Sequence, residues 1–494
     1  MTMRVEVAAG PVPEFISGTA AKPMLIGGGW SGAESGETFA TVNPATGSVL
    51  ASVASGGPAD VDRAVAAARR AFEDPSWADM NPHERTMVLL RIADAIDAHA
   101  DELAVLESLD GGIPIVLTRG MVAEAAKTFR YYAGWPTKMT GTVYPVDASV
   151  HCYSVREPVG VCAGIIPWNG PIVMAAWKIA PALACGNSVV LKPAEQTPLT
   201  ALRLAEIIVD SGLPAGVLNV VTGFGGTAGA AIAAHPGVDK VSFTGSTTTG
   251  KSILRASLGN LKRVTLELGG KSPHIIMPDA DLSAAARTAA NGFAMLTGQV
   301  CVAGTRILVH EAVHDAFAEE LAKVLADFRV GDPLAEDTLL GPVVSAEQFE
   351  RVGSYVAIGR AEGATVAFGG DAVDAPGYFV QPTVFTGVDN SMRLAREEIF
   401  GPVAALIPFR DADEAVRIAN DTDYGLAAAV ATTDVSTAHR MARRLRAGVV
   451  WVNTYSELDL TFPFGGYKQS GIGRELGETS LDNFTELKSV FIRL

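Results

Sequence analysis

Four short apolar runs alternate with helix-like segments through the middle of the chain. The runs cover residues 159–166, 188–191, 217–221 and 240–243, and segments such as 199–211 between them have helical spacing. Strands that alternate with helices form a parallel sheet, which binds ligands at the carboxyl ends of its strands. The sequence therefore predicts an α/β fold, and a second alternating series over 306–453 predicts a second α/β unit.

Two helices are predicted before the first of these runs. Residues 60–73 place apolar side chains on one face. Asn81 and Pro82 are typical of a helix start, and the pattern predicts one long helix that continues through Glu107. Residues 485–494 alternate like a strand, and 135–153 resemble a hairpin, so both are expected to make contacts between subunits.

The size and charge of the chain exclude several classes of function. A chain of 494 residues is too long for one simple core, so two or three domains are expected. The net charge of −15 disfavours binding to nucleic acid. Residues 1–18 have no basic segment followed by an apolar one, and no window reaches the ~18 consecutive apolar residues of a membrane span. We therefore expect a cytoplasmic protein without a membrane partner.

The cysteines predict neither a disulfide framework nor a metal site. Only four are present, Cys152, Cys162, Cys185 and Cys301, and none belongs to a CxxC pair. The eight histidines include no HExxH motif.

Cys301 nevertheless lies in a distinctive segment, GQVCVAG, over residues 298–304. An apolar run over 281–296 predicts a helix that ends just before it. Upstream, Glu267 follows a strand-like run and precedes two glycines. A thiol nucleophile and a carboxylate that activates water suit a covalent reaction through a thioester. The alternative is that Cys301 fills the core and Glu267 caps a surface element.

A rival motif suggests a different class of enzyme. Residues 245–252 match the phosphate-loop pattern GxxxxGK[ST] and follow the run at 240–243, as in a nucleoside triphosphatase. That chemistry also needs an acidic Mg²⁺ ligand at a strand end. The nearest candidate, Asp279, follows Pro278, which makes a poor strand end. A strand followed by a helix start binds anions in general, so the motif favours a phosphate-bearing ligand more than it favours ATP.

Four further motifs complete a known pattern. They lie at 167–171, 192–195, 397–402 and 463–471. Together with the segments around Glu267 and Cys301, they resemble the NAD(P)-dependent aldehyde dehydrogenase superfamily, in the branch that releases free acids. The resemblance covers 24–494, with all motifs in family order.

The resemblance implies an aldehyde dehydrogenase-like α/β fold. A Rossmann-type parallel-sheet cofactor domain would cover 1–134 and 154–266, and an α/β catalytic domain would cover 267–453. Strands in 135–153 and 480–494 would form a small β oligomerisation extension, and 454–479 would return to the cofactor domain. A homodimer or homotetramer is implied.

The resemblance also implies catalytic roles. Cys301 would attack the aldehyde, Asn169 and the Cys301 backbone N–H would hold the oxyanion, and Glu267 would activate water. Lys178 and Glu475 would form a proton path, although Lys178 could instead be a lysine that extends along a helix toward solvent.

For the cofactor, the resemblance implies NAD, with NADP possible. Glu195 suits a free ribose 2′-hydroxyl and would repel a 2′-phosphate, whereas Lys192 beside it keeps NADP open. Glu398 would contact the nicotinamide ribose, Phe400 the nicotinamide, and Ser246 the pyrophosphate. The complete predicted set is Ile165, Ile166, Pro167, Trp168, Lys192, Glu195, Gly225, Phe243, Gly245, Ser246, Leu268, Gly269, Glu398 and Phe400.

The predicted substrate pocket departs from many relatives at Gly170, where a bulky residue is common. This change suggests room for a larger or branched aldehyde. The other predicted lining residues are apolar: Met174, Trp177, Leu296, Val300, Val302, Leu458 and Phe464. Glu457 and Asp459 could attract a cationic aminoaldehyde, or they could be solvated loop charges. An inactive scaffold is a further alternative, disfavoured by the presence of Cys301, Asn169 and Glu267.

Overall fold

The computed structural model describes residues 3–7 and 12–494, and its strands build two large sheets. The strands are β1 (Met3–Arg4), β2 (Met24–Ile26), β3 (Gly29–Ser31), β4 (Thr38–Val42), β5 (Val49–Ala54), β6 (Val150–Pro158), β7 (Val161–Ile165), β8 (Ser188–Lys192), β9 (Leu218–Val220), β10 (Lys240–Thr244), β11 (Arg263–Glu267), β12 (Pro273–Ile276), β13 (Arg306–His310), β14 (Thr365–Phe368), β15 (Val373–Asp374), β16 (Thr383–Thr386), β17 (Val403–Phe409), β18 (Ala427–Ala431), β19 (Val449–Val452), β20 (Gly471–Ile472) and β21 (Thr485–Arg493).

Helices cover the faces of both sheets. They are α1 (Pro58–Glu73), α2 (Pro75–Ala78), α3 (Pro82–Ala98), α4 (Ala100–Gly111), α5 (Ile115–Ala133), α6 (Pro171–Ala184), α7 (Leu199–Asp210), α8 (Ala230–Ala234), α9 (Thr247–Ala256), α10 (Leu282–Ala294), α11 (His314–Ala326), α12 (Ala346–Ala361), α13 (Arg393–Arg396), α14 (Ala412–Asn420) and α15 (Val435–Arg444). None of them, within the described residues, is long and apolar enough to cross a membrane.

The first sheet has eight strands in the order β20-β11-β10-β7-β8-β9-β2-β3. Its five central strands, β11 to β9 in this order, run parallel. In the register, Ile165 lies opposite Lys192, and Thr244 lies opposite Glu267. The carboxyl ends of these strands therefore meet along one edge. The predicted parallel sheet is confirmed, but the run at 159–166 begins as a strand only at Val161, because Gly160 turns the chain with a φ of 132°.

The second sheet has seven strands in the order β14-β16-β17-β13-β12-β18-β19. All neighbouring pairs except β14 with β16 are parallel. The strand that carries Glu267, β11, belongs to the first sheet, and β12 of the second sheet begins only six residues later. This short connection places Glu267 at the junction of the two sheets, and the predicted second α/β unit is confirmed.

The helices before β6 differ from the prediction in one respect. The helix predicted at 60–73 is present as α1, and Asn81 caps α3 by accepting hydrogen bonds from the backbone of His83 and Glu84. The expectation of one helix from Pro82 through Glu107 is wrong. His99 leaves helical geometry, and both its backbone N–H and its ring Nδ1 bond the carbonyl of Ala95, which ends α3. A new helix, α4, begins at the next residue.

The C-terminal strand β21 pairs with β6 in an antiparallel ladder from Thr485 opposite Pro158 to Arg493 opposite Val150. The predicted reversal within 135–153 is present as an isolated bridge between Val143 and Tyr153. The paired strand itself, however, extends past that range to Pro158. Contacts between subunits and the division into domains stay predictions. Residues 1, 2 and 8–11 of the predicted 1–134 segment lie outside the described residues.

Candidate active site

The turn before Cys301 is built from residues in the left-handed region. Leu296 and Thr297 have φ of 53° and 55°, so the helix predicted over 281–296 ends earlier, at Ala294. Gly298 follows with a φ of 70°, and a Cβ there would lie 2.2 Å from the carbonyl carbon of Gly401. Left-handed non-glycine residues cost about 1–3 kcal/mol each and persist only where neighbours hold them. The sharp turn directs the chain from α10 toward the edge of the first sheet.

Hydrogen bonds fix this turn to the loop around residues 341–344. The Thr297 hydroxyl donates to the carbonyl of Gly341 at 2.9 Å. The Gln299 side-chain oxygen accepts from the backbone N–H of Val344 at 2.9 Å. Gly270 packs so closely that a Cβ there would meet the Cys301 carbonyl oxygen at 2.4 Å. The position of Cys301 is therefore set from several sides.

Cys301 is half-buried, and its thiol lies in an unfavourable environment for a thiolate. Burial raises the pKa of Cys301 to about 12, and the carboxylates of Glu267 and Glu398 contribute in the same direction. The thiol is consequently protonated at neutral pH. Attack on a carbonyl needs a group that takes the thiol proton, and these same two carboxylates are close enough to act on it electrostatically.

Asn169 approaches the same turn from the first sheet. Its Nδ2 donates to the carbonyl of Gln299 at 2.8 Å, two residues before Cys301. A side-chain amide carries two N–H donors, so one remains for a second acceptor. Asn169 lies between β7 and α6, in the loop that also contains Gly170. The structure thus brings the predicted oxyanion donor to the turn that carries the predicted nucleophile.

The loop of Asn169 is held by a residue that the sequence reasoning did not identify. Glu107, in α4, accepts a hydrogen bond from the Ile172 backbone N–H in the first turn of α6 at 3.2 Å. Burial raises the pKa of Glu107 to about 7. Nearby, Asp110 accepts from the Leu199 backbone N–H at the start of α7 at 2.9 Å. Nothing in the spacing of the sequence predicts these two contacts.

Glu267 ends β11 and is only 4% exposed. Neither of its carboxylate oxygens has a hydrogen-bond partner among the described residues. Burial raises the pKa of Glu267 well above its usual value, the Glu475 carboxylate adds to this, and Lys178 and Arg474 oppose it. A Cβ at Gly465 would lie 2.6 Å from Glu267 Oε1, so glycine leaves space for the carboxylate. Glu267 is therefore a buried carboxylate without a hydrogen-bond partner among the described residues, and not a surface cap.

Lys178 and Glu475 form a buried ion pair behind Glu267. Lys178 Nζ also donates to the Thr244 hydroxyl at 2.7 Å, and the Ser242 hydroxyl donates to Glu475 Oε1 at 3.2 Å. Because the Lys178 side chain is almost completely buried, the alternative of a lysine that reaches solvent is wrong. The pair connects α6 to the first sheet and to the segment after β20.

The predicted cofactor residues of the first half line the carboxyl edge of the sheet. The Ile166 backbone N–H donates to the Lys192 carbonyl at 3.0 Å, which joins the ends of β7 and β8. Lys192 is buried, and its Nζ donates to the Pro193 carbonyl at 2.8 Å and to Glu195 Oε2 at 3.2 Å. Burial lowers the pKa of Lys192, and Glu195 opposes that shift. Lys192 and Glu195 are therefore already paired with each other.

Further along this edge, Ser246 caps α9. Its hydroxyl oxygen accepts from the Thr249 backbone N–H at 3.2 Å. Glycines here allow close packing: a Cβ at Gly245 would lie 2.5 Å from the ring of Phe243, and a Cβ at Gly250 would lie 2.6 Å from Leu268. Gly225 begins the short helical turn Gly225–Gly229, and it is Gly229 at the end of this turn that lies beside Lys192. The exposed start of α9 can accept an anion.

Asp279, the candidate Mg²⁺ ligand of the triphosphatase alternative, follows a strand of a different sheet from the phosphate-loop motif. Asp279 follows β12 of the second sheet and accepts hydrogen bonds from the hydroxyls of Thr432 and Thr433. Lys251, the lysine of the motif, donates to the Gln469 side chain at 2.6 Å. No group of His, Cys, Asp and Glu suited to a metal ion occurs among residues 3–7 and 12–494. The motif at 245–252 is therefore the start of α9, after β10 of the first sheet, and its candidate acid follows a strand of the second sheet.

Glu398 and Phe400 reach the same edge from the second half. Glu398 Oε1 accepts from the Gly270 backbone N–H at 2.9 Å, and a Cβ at Gly269 would lie 2.2 Å from Glu398 Oε2. Phe400 has a φ of 61°, and its ring meets that of Trp168 edge-on at 5.1 Å between centroids. Trp168 follows Pro167 in the Asn169 loop. The structure thus joins both predicted cofactor segments around Cys301.

The predicted substrate pocket is only partly assembled. Trp177 and Phe464 contact at 5.6 Å between ring centroids and share an apolar cluster with Val302, Met174 and Val300. Leu458 is exposed and Leu296 lies outside this cluster. The cluster also includes Tyr131, Val173, Trp451 and Tyr455, which the sequence reasoning missed. Val173 could have been found, since it lies one helical turn before Trp177.

Gly170 affects the size of the predicted pocket, and the loop residues Glu457 and Asp459 could affect its charge. A Cβ built at Gly170 meets nothing within 4 Å, so space is open at this wall. Glu457 and Asp459 are exposed. Asp459 accepts from the backbone and hydroxyl of Thr461 within its own turn. Their arrangement is that of solvated loop charges, and it gives no buried acid for a cationic aldehyde.

Comparisons with known proteins agree with this geometry. A family model described as the aldehyde dehydrogenase family matches residues 30–490. The mitochondrial benzaldehyde dehydrogenase of Antirrhinum majus is 49% identical over 473 residues, which cover 95% of this chain and 89% of the relative. The NAD+ complex of an aldehyde dehydrogenase from Bacillus cereus gives a TM-score of 0.96 at 46% identity and covers 100% of both chains. A variant of indole-3-acetaldehyde dehydrogenase from P. syringae, in complex with NAD+ and IAA, gives 0.95 at 45% identity, over 97% of this chain and 98% of that chain. This chain belongs to the aldehyde dehydrogenase family.

Proposed function

We propose that this protein oxidises an apolar aldehyde to the carboxylic acid with NAD, through a thioester on Cys301. The observation that carries the proposal is the buried Glu267 carboxylate, which has no hydrogen-bond partner among the described residues and acts electrostatically on Cys301. A buried polar group without a partner costs about 1–3 kcal/mol. Such a group at an enzyme site is retained where it takes part in the chemistry.

The first step joins the Cys301 sulfur to the aldehyde carbon. The thiol proton passes to Glu267, whose raised pKa makes its ionised form a competent base. The carbonyl oxygen becomes an oxyanion, which the second N–H of the Asn169 amide and the Cys301 backbone N–H hold. Donors that are already positioned stabilise charge as it develops and can contribute a factor of about 10²–10³.

The residues along the carboxyl edge fit NAD. Lys192 and Glu195 would hold the adenine-side ribose, the start of α9 at Ser246 the pyrophosphate, and Glu398 the nicotinamide ribose. The close packing at Gly269 against Glu398 shows that this part of the edge has no room for a side chain. When bound, NAD supplies the acceptor for the hydride that leaves the tetrahedral adduct. Glu195 would repel a 2′-phosphate, so NAD is preferred over NADP.

The second step releases the acid. Glu267 takes a proton from water, the resulting hydroxide attacks the thioester carbon, and the Cys301 sulfur leaves as a thiolate that is reprotonated. The leaving thiolate takes its proton back from Glu267. The proton that Glu267 took from the thiol in the first step must leave before hydrolysis, and it would pass through the Glu475 and Lys178 pair, which interacts with Glu267 electrostatically. A glutamate base at this position favours hydrolysis over transfer of the acyl group to another thiol.

The substrate is proposed to be apolar and bulky. The support is the cluster around Trp177 and Phe464 and the open space at Gly170. Two of the relatives are named for benzaldehyde and indole-3-acetaldehyde, both aromatic aldehydes. A ring at the Gly170 wall would bury apolar surface that a short aldehyde leaves exposed.

We also propose that the protein forms a homo-oligomer and lies in the cytoplasm. Leu487, Phe491 and Ile492 on β21 are exposed large apolar side chains. Such a strand suits burial against a second copy, as a homodimer or homotetramer. A cytoplasmic location fits four free cysteines, because Cys301 must stay reduced.

The test is NADH formation by purified protein with NAD or NADP and a graded series of aldehydes, from acetaldehyde to aromatic members. We expect kcat/KM to rise toward aromatic aldehydes and to be higher with NAD. In the Gly170→Phe variant the aromatic members should lose about tenfold or more, while acetaldehyde changes little. Equal losses for all members would contradict the open pocket, and no NADH with any member would contradict the function.

A further inference from the structure

One face of the adjacent strands β10 and β11 is polar although it is largely buried. On β10 this face carries Lys240, Ser242 and Thr244, and on β11 it carries Thr265 and Glu267. Side chains alternate between the two faces of a strand, so these five lie in one stripe that ends at Glu267. Parallel strands that are buried on both faces are ordinarily apolar throughout. The stripe therefore departs from what packing alone requires.

Hydrogen bonds join the stripe to the carboxylate of Glu475. Lys240 Nζ donates to the Thr265 hydroxyl at 2.9 Å, and the Thr265 hydroxyl donates to that of Ser242 at 3.1 Å. The Ser242 hydroxyl in turn donates to Glu475 Oε1 at 3.2 Å. All four side chains are buried. We call Lys240, Thr265 and Ser242 the hydroxyl chain; it connects a buried lysine to the carboxylate that interacts electrostatically with Glu267.

The direction of these hydrogen bonds is fixed by their two ends. A lysine ammonium only donates and an ionised carboxylate only accepts, so both hydroxyls must point from Lys240 toward Glu475. A proton transfer in the opposite direction leaves the same arrangement. Glu475 gives a proton to the Ser242 oxygen, and Ser242 gives its own proton to Thr265. Thr265 then gives its own proton to a neutral Lys240. Each hydroxyl loses one proton and gains one, so the net change is one proton moved from Glu475 to Lys240.

Lys240 can exchange a proton at a pH close to neutral. Burial lowers the pKa of Lys240 to about 8, whereas a lysine in water has a pKa of about 10.4. Ionisable groups on the neighbouring elements also act on this pKa: Cys162 of β7 and Glu475 raise it, and Lys178 of α6 and Arg263 of β11 lower it. The Nζ lies 4.9 Å from the centre of the Phe484 ring, which covers it. Lys240 therefore has a neutral form within the working range of an enzyme.

We propose that the hydroxyl chain carries a proton from Glu475 to Lys240, which stores it while Glu267 activates water. The proton is the one that Glu267 takes from the thiol in the first step. It returns along the same chain and passes to water when the acid has left the site. The inference rests on the proposed function. Because the three residues of the chain are buried behind Glu475, they act through it and not on the substrate.

The store can accept a proton only while Lys240 is neutral. Below pH 7 the lysine already carries a proton, and the chain is closed. Above its pKa of about 8 the lysine is mostly neutral, and the chain is open. Hydrolysis of the thioester should therefore become faster as the pH rises through about 8.

Single-turnover measurements on the assembled full-length protein separate the two chemical steps. The enzyme is mixed in excess with NAD and benzaldehyde as the probe. Absorbance of NADH follows formation of the thioester. The mass of the acid-quenched protein follows loss of the acyl group from Cys301. In the wild type the rate constant of hydrolysis should rise with a midpoint near pH 8.

Two variants of Thr265 separate proton transfer from packing. Thr265→Val keeps the shape of the side chain and removes the hydroxyl, whereas Thr265→Ser keeps the hydroxyl and removes the methyl group. At pH 9 hydrolysis should be about tenfold slower in Thr265→Val, part of the usual contribution of proton transfer, and close to wild type in Thr265→Ser. The midpoint near pH 8 should be lost in Thr265→Val. Below pH 7, where the chain is closed in the wild type too, all three proteins should hydrolyse alike.

Further variants test the other links of the chain. Ser242→Ala breaks it at a second point, so the test stands even if Thr265→Val fails to fold, and Lys240→Met removes the store itself. Both should lose the midpoint near pH 8 and form NADH in the first turnover at about the wild-type rate. Lys262→Met is the matched control: Lys262 is a buried lysine just before β11, its Nζ donates to two backbone carbonyls, and it is not part of the chain. It should keep the wild-type profile.

Two results would overturn the proton store. One is a wild-type pH profile of hydrolysis in Thr265→Val or Ser242→Ala, and the other is an equal loss in Thr265→Val and Thr265→Ser. Failure of the proposed function gives a different result, which is no NADH and no acyl group on Cys301 in the wild type. In that case the chain has no thioester hydrolysis to serve and its role is refuted as well.

Discussion

Glu267 and Glu475 are two buried carboxylates near each other, yet their surroundings are opposite. Glu475 forms an ion pair with Lys178 and accepts a hydrogen bond from Ser242. Among the described residues, Glu267 has no hydrogen-bond partner on either oxygen, whereas Glu475 lacks one only on Oε2. A paired carboxylate is held in one place and stabilises the fold, whereas an unpaired one is free to exchange a proton with a thiol or with water. The difference supports the proposed role of Glu267 as the base, with Glu475 in a supporting role.

The largest effect is expected at Cys301, on which both carboxylates would act. Cys301→Ala should abolish NADH formation, because no other group in the site can form the thioester. NAD binding, followed by quenching of protein fluorescence, should be nearly unchanged. Loss of NAD binding together with loss of folded structure would instead identify Cys301 as a structural cysteine.

Glu267→Gln should lower steady-state turnover by about 10²–10⁴-fold, the usual contribution of a general base. The amide keeps the shape of the side chain but cannot take a proton from water. The folded protein should be at least as stable as the wild type, because an unpaired buried carboxylate is replaced by a neutral group. Turnover within a few-fold of the wild type would refute the base assignment.

Glu475→Gln should act mainly on stability. It leaves the Lys178 ammonium buried without its counter-charge, and breaking a buried ion pair costs about 3–5 kcal/mol in the free energy of unfolding. Urea unfolding measures this loss, and the double variant Lys178→Met, Glu475→Leu should recover much of it. Turnover should fall far less than in Glu267→Gln. A larger loss of turnover in Glu475→Gln than in Glu267→Gln would contradict the different roles assigned to the two carboxylates.

The smallest effect concerns the pH dependence of Cys301 alkylation. The Glu267 carboxylate raises the pKa of Cys301, whereas Glu475 is not among the groups that shift this pKa most. Removing the Glu267 charge therefore lowers that pKa, so alkylation at a fixed pH should be severalfold faster in Glu267→Gln. In Glu475→Gln the profile should stay close to that of the wild type. Cys301→Ala gives the background labelling of the other cysteines, and equal profiles in all active-site variants would contradict the electrostatic account.

Much of this fold follows from local patterns in the sequence. The strands at 188–191 and 240–243 and the cap at Asn81 are present within a residue of their predicted limits, because periodicity and capping are local properties. The break at His99 is different. It depends on a histidine that bonds the previous helix, and the apolar pattern continues across it.

The site shows the same division between local and non-local information. The motif residues Asn169, Glu267 and Cys301 were identified from the sequence and a family resemblance, and the structure brings them together. Glu107 and Tyr455 were missed, since each acts through a backbone group that is distant in the chain. The turn at Leu296 and Thr297 was also missed, because its left-handed residues are held by contacts with residues far along the chain, such as Gly341 and Gly401.

The most direct test of the different roles of the two carboxylates is a stopped-flow measurement of NADH formation. It compares Glu267→Gln and Glu475→Gln with the wild type. Glu267→Gln should form its thioester more slowly than the wild type, because the thiol proton must then pass to water, and it should stall after about one NADH per active site, because hydrolysis has lost its base. Glu475→Gln should continue to turn over after its first cycle. A burst and stall in Glu475→Gln, with sustained turnover in Glu267→Gln, would contradict the account.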